Sequence, residues 1–194
     1  MIKFIHHRYV IDIKMSESKL GGKVAIVTGS TRGIGYEIAK RFAIEGASVM
    51  ICSRKEENVN KAVEMLRSEN LEVSGVVCHV GNEDHRINLF QQTLQKYGRL
   101  DCLVVSAGVN PYIGSFLETP ENKWDYVFNI NVKCSFLLAR DAMPHLTKTQ
   151  GCMLFNSTFL AQSPGPALGA YSLSKAALDA LIKTLATEGG KHNV

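Results

Sequence analysis

The stretch that most limits how this chain can fold is Thr28-Gly29-Ser30-Thr31-Arg32-Gly33-Ile34-Gly35. It lies between an uncharged β-branched run, Val24-Ala25-Ile26-Val27, and a segment with Ile38, Phe42 and Ala43 at helical spacing that ends at Gly46. The first run predicts a buried strand and the second an amphipathic helix. A strand that enters a helix through three glycines leaves backbone N–H groups free at the positive end of the helix dipole. Glycine lets the backbone approach a ligand closely and tolerates positive φ. Such a turn is a seat for a pyrophosphate, and Gly29, Ser30, Thr31, Arg32, Gly33, Ile34 and Gly35 are its candidate binding residues. The spacing is Gly-x-x-x-Gly-x-Gly, so the context must support the assignment.

That context is a regular alternation. Ser48–Ser53, Val73–Cys78, Asp101–Val105 and Cys152–Phe155 read as further strands. Helical stretches are predicted at Lys55–Glu69, Glu83–Tyr97, Pro120 to about Leu146 as one long helix, and from near Ala170. This order predicts an α/β fold, a Rossmann-type doubly wound parallel sheet, ending after the fifth strand and its following helix. Ligands of such sheets bind beyond the carboxyl ends of the strands. The glycine turn, Ser106-Ala107-Gly108 and Asn156-Ser157-Thr158 all follow strand ends and so converge on one rim.

Composition narrows the remaining classes. The 194 residues, 45% hydrophobic and 21% charged, suit one domain, placed at residues 20–194. Residues 1–19 differ in composition and read as a leader, loosely ordered or else a cleaved targeting peptide. A net charge of +4 without a basic, aromatic-studded stripe argues against nucleic-acid binding. No apolar run approaches the roughly 20 residues that span a bilayer. The five scattered cysteines lack a C-x-x-C pair and read as small buried hydrophobes in a reducing compartment. No metal-ligand spacing is present. Cytoplasm is the expected location, with peroxisome or mitochondrion as alternatives.

Two further places carry chemistry. A ribose-binding Asp or Glu is expected about 20 residues past the glycine turn in folds that take NAD. Ser53 and Arg54 stand there instead, and Arg32 can reach the same region. Guanidinium groups bind a 2′-phosphate that a carboxylate would repel, which points to NADP(H) as cofactor. On the last helix, Tyr171 and Lys175 lie four residues apart and share a face. A neighbouring ammonium favours the phenolate, so this pair is expected to lower the Tyr171 pKa for proton transfer.

Thr28-Gly29-x-x-x-Gly33-x-Gly35, Ser106-Ala107-Gly108, Asn131 within Asn129-Ile130-Asn131-Val132-Lys133, and Tyr171-x-x-x-Lys175 together resemble the short-chain dehydrogenase/reductase family. The resemblance runs from about Leu20 to Leu185. Val77–Gly81, Ser106–Pro111 and Trp124-Asp125 look most like a group of NADPH-dependent reductases of retinal and other carbonyls. The resemblance implies hydride transfer to an aldehyde or ketone while Tyr171 protonates the oxygen. It implies that Lys175 holds the nicotinamide ribose, Thr158 bonds the carbonyl, and Asn131 holds a water linking Lys175 to solvent. Val80, Ala107 and Gly108 join the cofactor-binding set.

Four departures from the family pattern stand out. Thr158 replaces the catalytic serine, with Ser157 the second choice on the opposite face. Ser106 replaces an asparagine, and His79 replaces an adenine-binding aspartate. Family members also continue past the position of Val194 with two more strands, a substrate loop and a subunit interface. Two readings follow: an NADPH-dependent reductase of a small-molecule carbonyl, or a silent NADP-binding or dimerising remnant. The 120–146 helix is the surface expected to pair in a homo-oligomer.

Overall fold

The computed structural model describes residues 18–194; the expected leader therefore lies almost entirely outside the described residues. Five strands form one parallel sheet: β1 (Val24–Thr28), β2 (Ser48–Ser53), β3 (Val73–Val77), β4 (Cys102–Val105) and β5 (Cys152–Phe155). Their spatial order is β3-β2-β1-β4-β5. The order reverses between β1 and β4, so the crevice that can receive a ligand opens beyond Thr28 and Val105.

Among the described residues, six α-helices connect and cover the strands: α1 (Gly33–Ile44), α2 (Glu56–Ser68), α3 (Glu83–Tyr97), α4 (Glu121–Phe128), α5 (Cys134–Thr149) and α6 (Gly169–Gly189). Alternate strand residues point to opposite faces, which divides the core in two. Ile26, Met50, Leu103 and Val105 pack with Leu89 and Phe90 of α3 and with Leu138, Ala142 and Leu146 of α5. Ala25, Val27, Val49, Ile51 and Val104 pack with Ala39 and Ala43 of α1 and Ala62 and Leu66 of α2. Both faces of β1 are thus covered, and every residue of that strand is buried. The edge strand β5 is different: exposed and half-buried residues alternate along it, and Leu154 is 46% exposed.

One prediction needs correcting. The stretch from Pro120 is not a single helix. Residues Asn129–Lys133 form a π-helical turn between α4 and α5. This turn widens the helix by one residue and carries Asn131 inward, where it is 1% exposed. Helical periodicity alone does not show such an insertion.

Candidate functional site

The three glycines of the β1–α1 turn each answer a different constraint. Gly29 has φ +63°, and a Cβ there would lie 2.9 Å from the Ala107 Cα. Gly33 has φ +59° with open space around it, so only its backbone conformation selects glycine. At Gly35 a Cβ would fall 2.5 Å from the Gly29 carbonyl oxygen, because the first turn of α1 presses on the loop.

The start of α1 is left without an internal anion. Its cap, Arg32, makes no side-chain capping bond, and its first turn holds no acidic residue. By contrast, Asn82 caps α3 by accepting from the His85 N–H, and α2 opens on Glu56 and Glu57. The unpaired N–H groups and helix dipole of α1 therefore remain for a negative ligand.

A cavity of about 160 Å³ lies against this turn. Of the residues singled out in the sequence, Gly29, Thr31, Arg32, Ser53, Arg54, Val80, Ala107 and Gly108 line it. Ser30, Gly33, Ile34 and Gly35 are not among its lining residues; Ser30 faces the sheet instead. It is fully buried, donates to the Val27 carbonyl at 2.5 Å and accepts from the Cys52 N–H at 3.1 Å. Its hydroxyl stitches β1 to β2, and its single O–H donor is used by the Val27 carbonyl. Sequence reasoning missed Tyr126 and Ile130, which sit four apart across the α4–π junction and form the far wall. The Arg54 guanidinium donates to the Tyr126 hydroxyl at 3.2 Å, which steadies it at the rim. His79 also lines the cavity, its Nδ1 accepting from the Gly81 N–H at 3.1 Å.

A second cavity of about 430 Å³ adjoins the first and shares Ser106, Gly108 and Val109 with it. Tyr171, Lys175, Thr158, Ser157, Asn156 and the exposed Ile34 also line it. The hydroxyls of the two neighbours after β5 diverge. Ser157 donates to Asp179 Oδ1 on α6 at 2.5 Å, while Thr158 accepts from the Leu160 N–H at 3.4 Å. Ser157 is thus engaged by the helix.

Lys175 is 6% exposed and donates to the Asn156 carbonyl at 2.6 Å. Its Nζ stands 5.9 Å from the centre of the Tyr171 ring. Burial pulls the Lys175 pKa down, opposed by the charge of Asp179. The expected fall in the Tyr171 pKa is not found: burial pushes it up. The ammonium is turned toward Asn156, and desolvation of the phenolate dominates.

Asn131 is buried between the loop after β4 and α6. Its Oδ1 accepts from the Val109 N–H at 2.8 Å. Its Nδ2 donates to the Val109 carbonyl at 2.9 Å and to Ser174 Oγ at 3.0 Å. The main-chain carbonyl of Asn131 accepts from Ser135 Oγ at 2.8 Å. The amide thus joins the β4 loop to α6. Among the described residues, no group of His, Cys, Asp and Glu is placed to hold a metal. No helix among them is long and apolar enough to cross a membrane.

A family model described as short chain dehydrogenase matches residues 23–194. The chain belongs to this family. Tropinone reductase-like 3 of Erythroxylum coca is 47% identical over 175 residues, covering 90% of this chain and 67% of that protein. Dehydrogenase/reductase SDR family member 2, mitochondrial, of Homo sapiens is 46% identical and covers 87% and 60%. Dehydrogenase/reductase SDR family member 4 of Bos taurus is 43% identical and covers 90% and 63%. This short-chain dehydrogenase thus spans about 60 to 67% of the length of these relatives. Among solved structures, an NAD+-bound xylitol dehydrogenase superposes with a TM-score of 0.86 at 27% identity, covering 90% of this chain and 68% of that one. A short chain dehydrogenase from Mycobacterium smegmatis gives 0.86 at 29%, covering 91% and 75%. The α/β architecture read from the sequence is the architecture of these structures.

Proposed function

We propose that this short-chain dehydrogenase reduces a small aldehyde or ketone with NADPH. The observation that carries the reading is the junction of two cavities. One has a free helix N-terminus, and the other holds Tyr171, Lys175 and Thr158 together.

The lining of the first cavity suits the phosphate-bearing adenosine half of a dinucleotide. Gly29 and Gly33 keep side chains away from the turn, and the uncapped start of α1 suits a pyrophosphate. Arg32 and Arg54 line the cavity and no carboxylate does, which favours a ribose 2′-phosphate over a bare hydroxyl pair. Lys175, fixed by the Asn156 carbonyl, lines the second cavity close to the shared Gly108 and would hold the nicotinamide ribose. The bound dinucleotide supplies the hydride.

The protein's own part is proton delivery and orientation. Burial keeps the Tyr171 phenol protonated at neutral pH, the state required of a general acid in the reductive direction. Thr158 would orient the carbonyl oxygen toward that phenol, stabilising the charge that develops there. Asn131 acts at one remove, by fixing Val109 and the helix that bears Tyr171.

The test is carbonyl-dependent oxidation of NADPH by the chain and by Tyr171→Phe. The proposal predicts turnover in the first and a loss of about 100-fold or more in the second. Equal rates in the two would overturn it.

A further inference from the structure

At the opposite end of the sheet from the glycine turn, β4 and β5 each begin with a cysteine. Cys102 and Cys152 are register partners in this parallel pair, so their side chains leave the same face. Their sulfurs are 3.6 Å apart. Three other cysteines, Cys52, Cys78 and Cys134, are enclosed in the core, whereas Cys152 is exposed and the buried Cys102 lies beside it on the neighbouring strand. An open cavity of about 240 Å³ is lined by both, together with Lys23, Asp101, Leu20 and Leu154. Nothing in the reduction proposed above uses this place.

We infer that Cys102 and Cys152 are a reversible dithiol–disulfide modification site, oxidised by a small hydroperoxide. The geometry requires little movement. Adjacent strands are about 4.8 Å apart, within the roughly 4.4–6.8 Å that a disulfide spans between Cα atoms. The sulfurs must close from 3.6 Å to about 2 Å.

The order of events follows from exposure. The Cys102 thiol donating toward Cys152 favours the Cys152 thiolate and outweighs its burial; Asp101 opposes this and Lys23 assists. Cys152 is therefore the group that meets the oxidant. Its thiolate attacks one peroxide oxygen, the O–O bond breaks, and the sulfur becomes a sulfenic acid while the leaving hydroxide takes up a proton as water. Cys102 then attacks that sulfur, the S–O bond breaks, and the departing hydroxide takes the Cys102 proton as a second water. Two thiols and one hydroperoxide (hydrogen peroxide as probe) give one disulfide and two waters. The bond would join the roots of the two strands whose far ends carry Ser106–Gly108 and Asn156–Thr158.

The experiment treats the 194-residue chain with stoichiometric hydrogen peroxide, counts free thiols and maps the cross-link by mass spectrometry. The expected result is a fall from five thiols to three, a Cys102–Cys152 linked peptide pair, and full recovery with dithiothreitol. In Cys102→Ser the sulfenic acid at Cys152 should persist and be trapped by dimedone. In Cys152→Ser, Cys102 should stay reduced under the same dose. Overturning results are five remaining thiols, a link only between separate chains, or peroxide carrying Cys152 straight to sulfinic acid with Cys102 present. Because NADPH and carbonyl are absent from this assay, its failure leaves the proposed reduction untouched.

Discussion

Asn131 holds Val109 by both ends of its amide, accepting from its N–H at 2.8 Å and donating to its carbonyl at 2.9 Å. A side chain bonded this way acts as a short piece of strand, pairing with the loop after β4 where no backbone is available. The third bond, to Ser174 Oγ, ties the same point to α6. The loop shared by the two cavities and the helix bearing Tyr171 are thereby referenced to one buried residue.

Replacing Asn131 by Ala removes all three bonds and leaves buried partners unsatisfied. Denaturant unfolding of the cofactor-free chain should show a loss of about 2 to 3 kcal/mol. Unchanged stability with lost activity would instead place Asn131 in the proton chemistry.

Gly29→Ala meets two penalties, a left-handed φ and a Cβ 2.9 Å from the Ala107 backbone. The variant should be less stable by at least about 1 kcal/mol. It should also bind dinucleotide poorly, since the turn must part from the β4 loop. Gly33→Ala has the same φ sign without the contact, so it should be the milder of the two in thermal unfolding.

These glycines illustrate what was legible in the sequence. The turn, the five strands and the Tyr171–Lys175 pair could be read because each rests on local spacing, of period two, period 3.6 or fixed offsets. The bonds of the Ser30 hydroxyl could not be read, because its neighbour across the sheet, Cys52, is 22 positions away and nothing local shows which way that hydroxyl turns. The π turn at Asn131 was hidden for the reverse reason: helix-forming residues run straight through it. The Tyr171 pKa depended on burial and on where the Lys175 ammonium points, both properties of the folded chain.

Acid should find a specific weak point at Asp101, which is 5% exposed. Burial raises its pKa, but bonds from Arg99 and the Val24 N–H, with the charges of Arg99 and Lys23, outweigh that and hold it below the usual value. A carboxylate depressed on folding contributes stability that is complete above its unfolded pKa, about 3.9, and lost as pH falls through the lower folded value. Stability measured between neutral pH and pH about 2 should therefore drop below pH about 4. Asp101→Asn should start lower at neutral pH and show a shallower acid limb. Parallel limbs in the two proteins would remove Asp101 from this role.

The most direct measurement is thermal unfolding of the chain titrated with NADPH and, separately, with NADH. Binding to the folded state alone raises the midpoint with ligand concentration. The account predicts one cooperative transition, raised by NADPH and much less by NADH, with the difference narrowed in Arg54→Ala. A transition that neither cofactor moves, or that NADH moves equally in the parent chain, would contradict it.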